Sequence, residues 1–261
     1  MAERLSRLAQ AQQWYLGAVD AIPDDGWSKP TLCEGWTAIH VVAHVTAGDQ
    51  SVRGIVYDVL GKPRSGQDLP TSREERKQRF EALSTAAPAD IRQAARRESE
   101  QTVAAILEAV ETAPQIQVSM PVGTVPVSAL RALRLNEYVI HGHDLMPAIG
   151  RSIPIPEWFV ERALADSIGL MPRLHQRSKR KGQSASFHVH RTDGEGEWML
   201  TVADGQATIE PGHGKGDVAM RGPAEGLYWV LMGRGNPSEL GVEVHGDPAI
   251  AAAFKEWFPG P

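Results

Sequence analysis

PVSALRALRLNEYVIHGHDLMPAIG, residues 126–150, decides how this chain is read. The stretch opens on a proline and closes on a glycine, the punctuation of a single helix. Within it Glu137 and His141 are four residues apart, so their side chains lie one turn apart on one face. Upstream, VVAHV sets His44 in the middle of another helical stretch, which opens near Gly35-Trp36-Thr37 and runs to Leu60. A carboxylate and an imidazole one turn apart, joined by an imidazole from a facing helix, are a means by which helical bundles build metal sites. Three N/O donors with an open fourth position describe catalytic zinc. The plainer alternative makes Glu137 and His141 a surface ion pair and His44 a satisfied core histidine.

Around this stretch the first 150 residues read as helix. From about Arg4 to Ile22, the residues Leu5, Leu8, Tyr15, Leu16 and Val19 fall near one face, and Pro23-Asp24-Asp25-Gly26 stops the run. Residues 61–70 read as a loop. Helix returns over about 72–84 and again after Pro88, and Pro114 to Pro126 is irregular or briefly extended. Four long amphipathic helices with short breaks predict a four-helix bundle.

Residues 151–261 have a different texture. They hold 15 of the 25 glycines, against 10 in the longer first segment. After a helix from Pro156 to about Met171, SASFHVHRT and EWMLTVAD read as strands joined by the turn Asp193-Gly194-Glu195-Gly196. QATIEPG, DVAMRG and GVEVHG read as further strands. PAEGLYWVLMGR and DPAIAAAFKEWF read as helices. The expectation is an α+β chain: a helical bundle over 1–150, then a small α/β domain over 151–261 with a mainly antiparallel sheet.

Composition narrows the function. The chain has 261 residues, 42% of them hydrophobic and 23% charged, as in ordinary globular proteins. A net charge of −5 gives no general pull toward nucleic acid or an anionic membrane. No apolar run approaches the ~18 residues of a membrane span, and the start MAERLSRLAQAQQW has no signal-type apolar stretch. One cysteine, Cys33, excludes an internal disulfide framework and fits a reducing cytoplasm. Oligomeric state is not readable.

Other residues of metal-binding or reactive type stand outside the trio. His40, four before His44, is read as facing outward near the helix start. His143 and Asp144 follow His141 and are not expected on its face, which leaves them outer-shell or capping roles. His188 and His190 form an H-x-H pair on a strand; period two puts both on one face, read as an exposed one. His213 in EPGHGKGD is a turn residue. Arg173, Arg177, Lys179, Arg180 and Lys181 form a basic run, read as a solvated loop. Cys33 is read as a packed or loop cysteine, although a helix N-terminus lowers a thiol pKa.

Three segments carry a family resemblance. WSKPTLCEGWTAIHVVAHV (Trp27 to Val45) and RLNEYVIHGHDL (Arg134 to Leu145) resemble the two signatures of the mycothiol-dependent maleylpyruvate isomerase family, whose N-terminal domain is a DinB-like metal-binding bundle. DVAMRGPAEGLYWVLMGR (Asp217 to Arg234) is similar to its C-terminal domain, a small module related to sterol-carrier folds. The resemblance implies metal ligands at His44, Glu137 and His141, with zinc or another divalent metal there. It implies mycothiol, the low-molecular-weight thiol of actinobacteria, as cofactor or cosubstrate. It also implies an arginine of the C-terminal domain on the substrate carboxylate: Arg234, or second Arg221. The chain departs from the family around the site, in A-I-H near His40 and H-G-H-D near His143, which points to a changed substrate.

The implied activity is thiol activation toward a small electrophilic substrate. In an isomerase the thiolate adds to a conjugated double bond, the bond rotates, and elimination returns the thiol. In an S-transferase the adduct is kept. Two other classes compete: a non-catalytic small-molecule binding protein with a structural metal, and a metal-dependent hydrolase using bound water.

Overall fold

Ser6 begins the described chain by capping a helix: its side chain accepts from the Ala9 N–H at 3.2 Å. The computed structural model describes residues 6–64, 69–70, 72–120 and 123–260. Arg4 and Leu5 of the expected first helix, and residues 65–68 of the expected loop, lie outside them. The chain divides between Pro154 and Ile155 into two units.

The first unit is built on α1 (Arg7–Asp20), α2 (Ala38–Val59), α4 (Pro88–Thr112) and α5 (Leu130–Asp144), with α3 (Arg73–Ser84) laid on α2. Helix α1 packs on α5 and α4, and α2 on α4 and α5. The apolar stripes read from sequence meet in the middle: Leu8, Tyr15, Val19, Val42, Val45, Ile91, Ile106 and Val139 are buried. Polar ties cross the core as well. Gln12 Nε2 donates to Ser99 Oγ at 3.0 Å, Thr102 Oγ1 to the Asp49 carbonyl at 3.0 Å, and Arg53 pairs with Glu98 at 2.7 Å.

One sequence expectation is filled in here and another shifts. The 114–126 stretch holds a hairpin, β1 (Gln117–Met120) against β2 (Gly123–Pro126). The last helix does not run unbroken to residue 150. It ends at Asp144, and α6 (Met146–Ile149) follows before Gly150 caps that helix with a left-handed φ of 78°. Pro147 explains the break, because it removes an N–H and crowds the preceding turn.

The second unit packs helices on one face of a five-stranded sheet. The strands are β3 (Ala185–Arg191), β4 (Glu197–Ala203), β5 (Gln206–Pro211), β6 (Val218–Gly222) and β7 (Glu243–Gly246), in the order β5-β4-β3-β6-β7. Only the β3–β6 pair is parallel, so the sheet is mainly antiparallel as expected. Alternation sends Phe187, Val189, Leu200, Val218 and Met220 to the core face. There Phe187 meets Phe254, Trp257 and Phe258 edge-on at 5.3–6.1 Å. The core is completed by α7 (Glu157–His175), α8 (Ala224–Met232) and α10 (Phe254–Trp257). Helix α7 runs one turn past its expected end at Met171, through Pro172. His175 anchors that turn, its Nδ1 lying 3.0 Å from the Trp257 carbonyl. The expected final helix is split at Ala253 into α9 (Pro248–Ala252) and α10. Among the described residues no helix is long and apolar enough to cross a membrane.

Candidate metal centre

Helix α2 starts with a capping box in which a histidine takes the usual glutamate place. His40 Nδ1 accepts from the Thr37 N–H at 3.2 Å and lies 2.7 Å from Thr37 Oγ1. This occupies His40 at the helix start and fixes the first turn. One turn on, His44 emerges on the side of α2 that faces α5. It is neither core nor surface: its side chain keeps 27% exposure, and Glu137 keeps 33%.

The three residues chosen from spacing come together. His44 Nε2 lies 3.6 Å and His141 Nε2 3.8 Å from the same oxygen, Glu137 Oε2. The two imidazoles stand edge-to-face with centroids 4.8 Å apart. One donor atom from each residue falls within 4.8 Å of the others. The approach of the helices needs small residues. A Cβ on Gly48 would stand 2.9 Å from Arg134 Nη1, and one on Gly142 would collide with the Trp14 ring.

An outer layer holds this group. Asp144, three residues after His141, does reach it, contrary to the expectation that it would lie off that face. Its Oδ2 sits 2.9 Å from His141 Nδ1, and the Cys33 thiol donates to the same oxygen at 3.0 Å. The i,i+3 offset aims Asp144 at the back of the ring, as for the carboxylates that orient metal-binding histidines. Cys33 is thus tied to the site through Asp144. Trp36 covers His44 at 5.1 Å and stacks on Phe80 at 5.5 Å.

The charge around Glu137 comes from residues that spacing did not single out. Arg134 Nη1 lies 3.7 Å from Glu137 Oε2. Its own Nε donates to Asp49 Oδ1 at 2.8 Å and its Nη2 to the Val45 carbonyl at 2.8 Å. Tyr138 Oη donates to the same Asp49 oxygen at 2.7 Å, and its ring stacks on Tyr15. Burial alone would raise the Glu137 pKa. The His44 ring 3.6 Å away, with His141 and the Arg134 charge, outweighs it and holds the carboxyl well below its ordinary range. Burial pushes His44 down, favouring the neutral ring, and pushes Asp49 up to about 6.

Beside the trio is a cavity of ≈ 190 Å³ lined by His44, Glu137, Arg134 and Arg76, with apolar walls that include Val52, Ile55 and Leu133. Arg76 comes from α3, the charged helix laid on α2. Arg234 and Arg221 belong to the second unit. Arg234 is buried, and its Nη1 donates to the Met232 carbonyl at 2.9 Å. Arg221 lies on β6, its Nη1 3.5 Å from Glu243 Oε2.

A family model described as the mycothiol maleylpyruvate isomerase N-terminal domain matches residues 8–146, and one described as the MDMPI C-terminal domain matches residues 155–253. No curated protein sequence matches the chain. Two solved structures share its fold, a mycothiol-dependent maleylpyruvate isomerase and a histidine-to-alanine mutant of it. They show 22% and 21% identity with TM-scores of 0.66 and 0.67, and each match covers 91% of this chain and 90% of that chain.

Proposed function

The chain belongs to the mycothiol maleylpyruvate isomerase family, and from that premise we propose that it is a mycothiol-dependent isomerase of a small unsaturated acid, using a divalent metal on His44, Glu137 and His141. One observation carries the reading: imidazoles from α2 and α5 converge on the Glu137 carboxylate, and two of the three donors, His44 and Glu137, line a cavity. Two imidazoles and a carboxylate suit zinc, and a three-residue set leaves a coordination position open. Isomerisation is preferred to thiol transfer because the two solved structures described above are of a mycothiol-dependent maleylpyruvate isomerase.

When bound, the metal supplies one kind of chemistry: it holds a coordinated thiol as thiolate, the nucleophilic form, at neutral pH. The chain's residues do the rest. Burial keeps His44 neutral, so it offers a lone pair. Asp144, 2.9 Å from His141 Nδ1, orients that ring so that Nε2 faces Glu137. Arg134, anchored on Asp49 and the Val45 carbonyl, adds to His44 and His141 in keeping Glu137 ionised. The apolar walls exclude water from the thiolate and the double bond. Arg76 gives the cavity a cation suited to an acid. The thiol sets the protein in an actinobacterial cytoplasm.

The test is a thiol and metal titration. Stripped protein should lose mycothiol-dependent isomerisation of maleylpyruvate and regain it with zinc. Full turnover without added thiol, or full metal content and turnover in His44→Ala, overturns the reading.

A further inference from the structure

The second unit carries its own group of metal-type donors, on the sheet face opposite its core. The β3–β4 register sets His190 opposite Glu197 and His188 opposite Met199, so alternation brings all four side chains to that face. The turn between β5 and β6 adds His213. Three imidazole nitrogens then surround one oxygen, Glu197 Oε1: His188 Nε2 at 2.8 Å, His213 Nδ1 at 2.9 Å and His190 Nδ1 at 3.5 Å. The donor atoms of His188, His190 and Glu197 lie within 4.8 Å of one another. The His213 ring stands edge-on to His188 with centroids 5.0 Å apart.

His188 was expected to be exposed, and it is only 6% so. The reason is the turn 212–217, pressed onto the sheet by its glycines. Gly212 has φ 113°. A Cβ on Gly214 would stand 2.8 Å from the Met199 sulfur, and one on Gly216 2.7 Å from the Val218 carbonyl. The GHGKG spacing therefore delivers His213 to Glu197. The hydrogen bond from His213, followed by that from His188, holds the Glu197 carboxyl below its ordinary pKa.

We propose that His188, His190, His213 and Glu197 form a second metal site, for a divalent transition ion of the zinc, nickel or copper class, which ties the β3–β4 hairpin to the turn before β6. Three imidazoles and one carboxylate favour these borderline ions over magnesium or calcium, which prefer all-oxygen sets. Four protein donors fill a tetrahedral shell, so the site captures a metal and leaves no position for substrate. A ring that now donates its N–H to Glu197 moves that proton to its other nitrogen when an ion takes the lone pair.

The proposal does not rest on the bundle reading, and its test separates the two. Zinc and cobalt binding are counted on the full chain and on His44→Ala/His141→Ala, each with and without His190→Ala/His213→Ala. His190 and His213 are 39% and 80% exposed in their side chains, so this pair of changes leaves the core intact, which circular dichroism checks. One equivalent should disappear, or weaken by more than about tenfold, with the His190/His213 changes in both backgrounds. Glu197→Gln should weaken the same equivalent, and zinc should raise the thermal midpoint only where these donors are intact. Equal stoichiometry and affinity with and without His190 and His213, in both backgrounds, overturns the proposal.

Discussion

Each unit of this chain has a glutamate ringed by imidazoles, and what surrounds each glutamate differs. In the bundle, His44 and His141 approach Glu137 from two helices, with Asp144 behind one ring, Arg134 beside the carboxylate and a cavity along its side. On the sheet, three rings close on Glu197 from one strand and a turn. Similar donors therefore serve different ends. Three donors beside a cavity leave room for a reacting molecule, whereas four donors on a pleated face satisfy an ion and stop there. The sequence motifs E-x-x-x-H and H-x-H do not express that difference; the space around them does.

The largest effect that should separate the two clusters is on turnover. His141→Ala should lower kcat/KM by about a thousandfold or more, the order of several kcal/mol of transition-state stabilisation supplied by a metal. Glu197→Gln should leave steady-state rates unchanged. A comparable loss in both variants would erase the distinction.

Stability should divide along the same line. Asp49 is fully buried between Arg134 and Tyr138. Asp49→Ala strands a buried guanidinium and should cost about 3–5 kcal/mol in denaturant unfolding. On the sheet face Arg221 and Glu243 form an exposed pair, and Glu243→Ala should shift stability by less than about 1 kcal/mol. Between these two, Asp144→Asn should weaken metal binding in the bundle by about 10–100-fold, with the ligands themselves untouched. Calorimetric titration of that variant, with the sheet histidines replaced, reads the effect directly.

The gentlest probe is acid. Both His44 and Glu197 have folded pKa values below their ordinary ones, so each contributes stability that is lost as pH falls. The windows differ. His44 acts in the metal-free protein as pH drops below about 6.5, and Glu197 only as it drops below about 4.3. Unfolding curves of His44→Gln and Glu197→Gln should depart from wild type in those separate ranges. A departure of both in one range would contradict the assignment.

Much of the bundle was legible because its information is local. Period 3.6 marks the buried faces of α1, α2, α4 and α5, and the i,i+4 offset of Glu137 and His141 needs no knowledge of the fold. What could not be read depends on pairing across long separations. Asp49 meets Arg134 across 85 residues, and periodicity names a face without naming its partner. Arg134, three residues before Glu137, was within reach of the same helical argument. Arg76 was hidden because a charged helix looks solvated until its neighbour is known. On the sheet, H-x-H gave the face, but His213 joins it only through a glycine-permitted turn.

The central claim is that His44, Glu137 and His141 hold a metal with a position open to thiol. Cobalt-loaded protein titrated with mycothiol tests it most directly, because a thiolate bound to cobalt gives a charge-transfer absorption. The account predicts a saturable band in the wild type and in His190→Ala/His213→Ala, and none in His141→Ala. A band that survives His141→Ala, or a cobalt-loaded wild type whose spectrum mycothiol leaves unchanged, would contradict it.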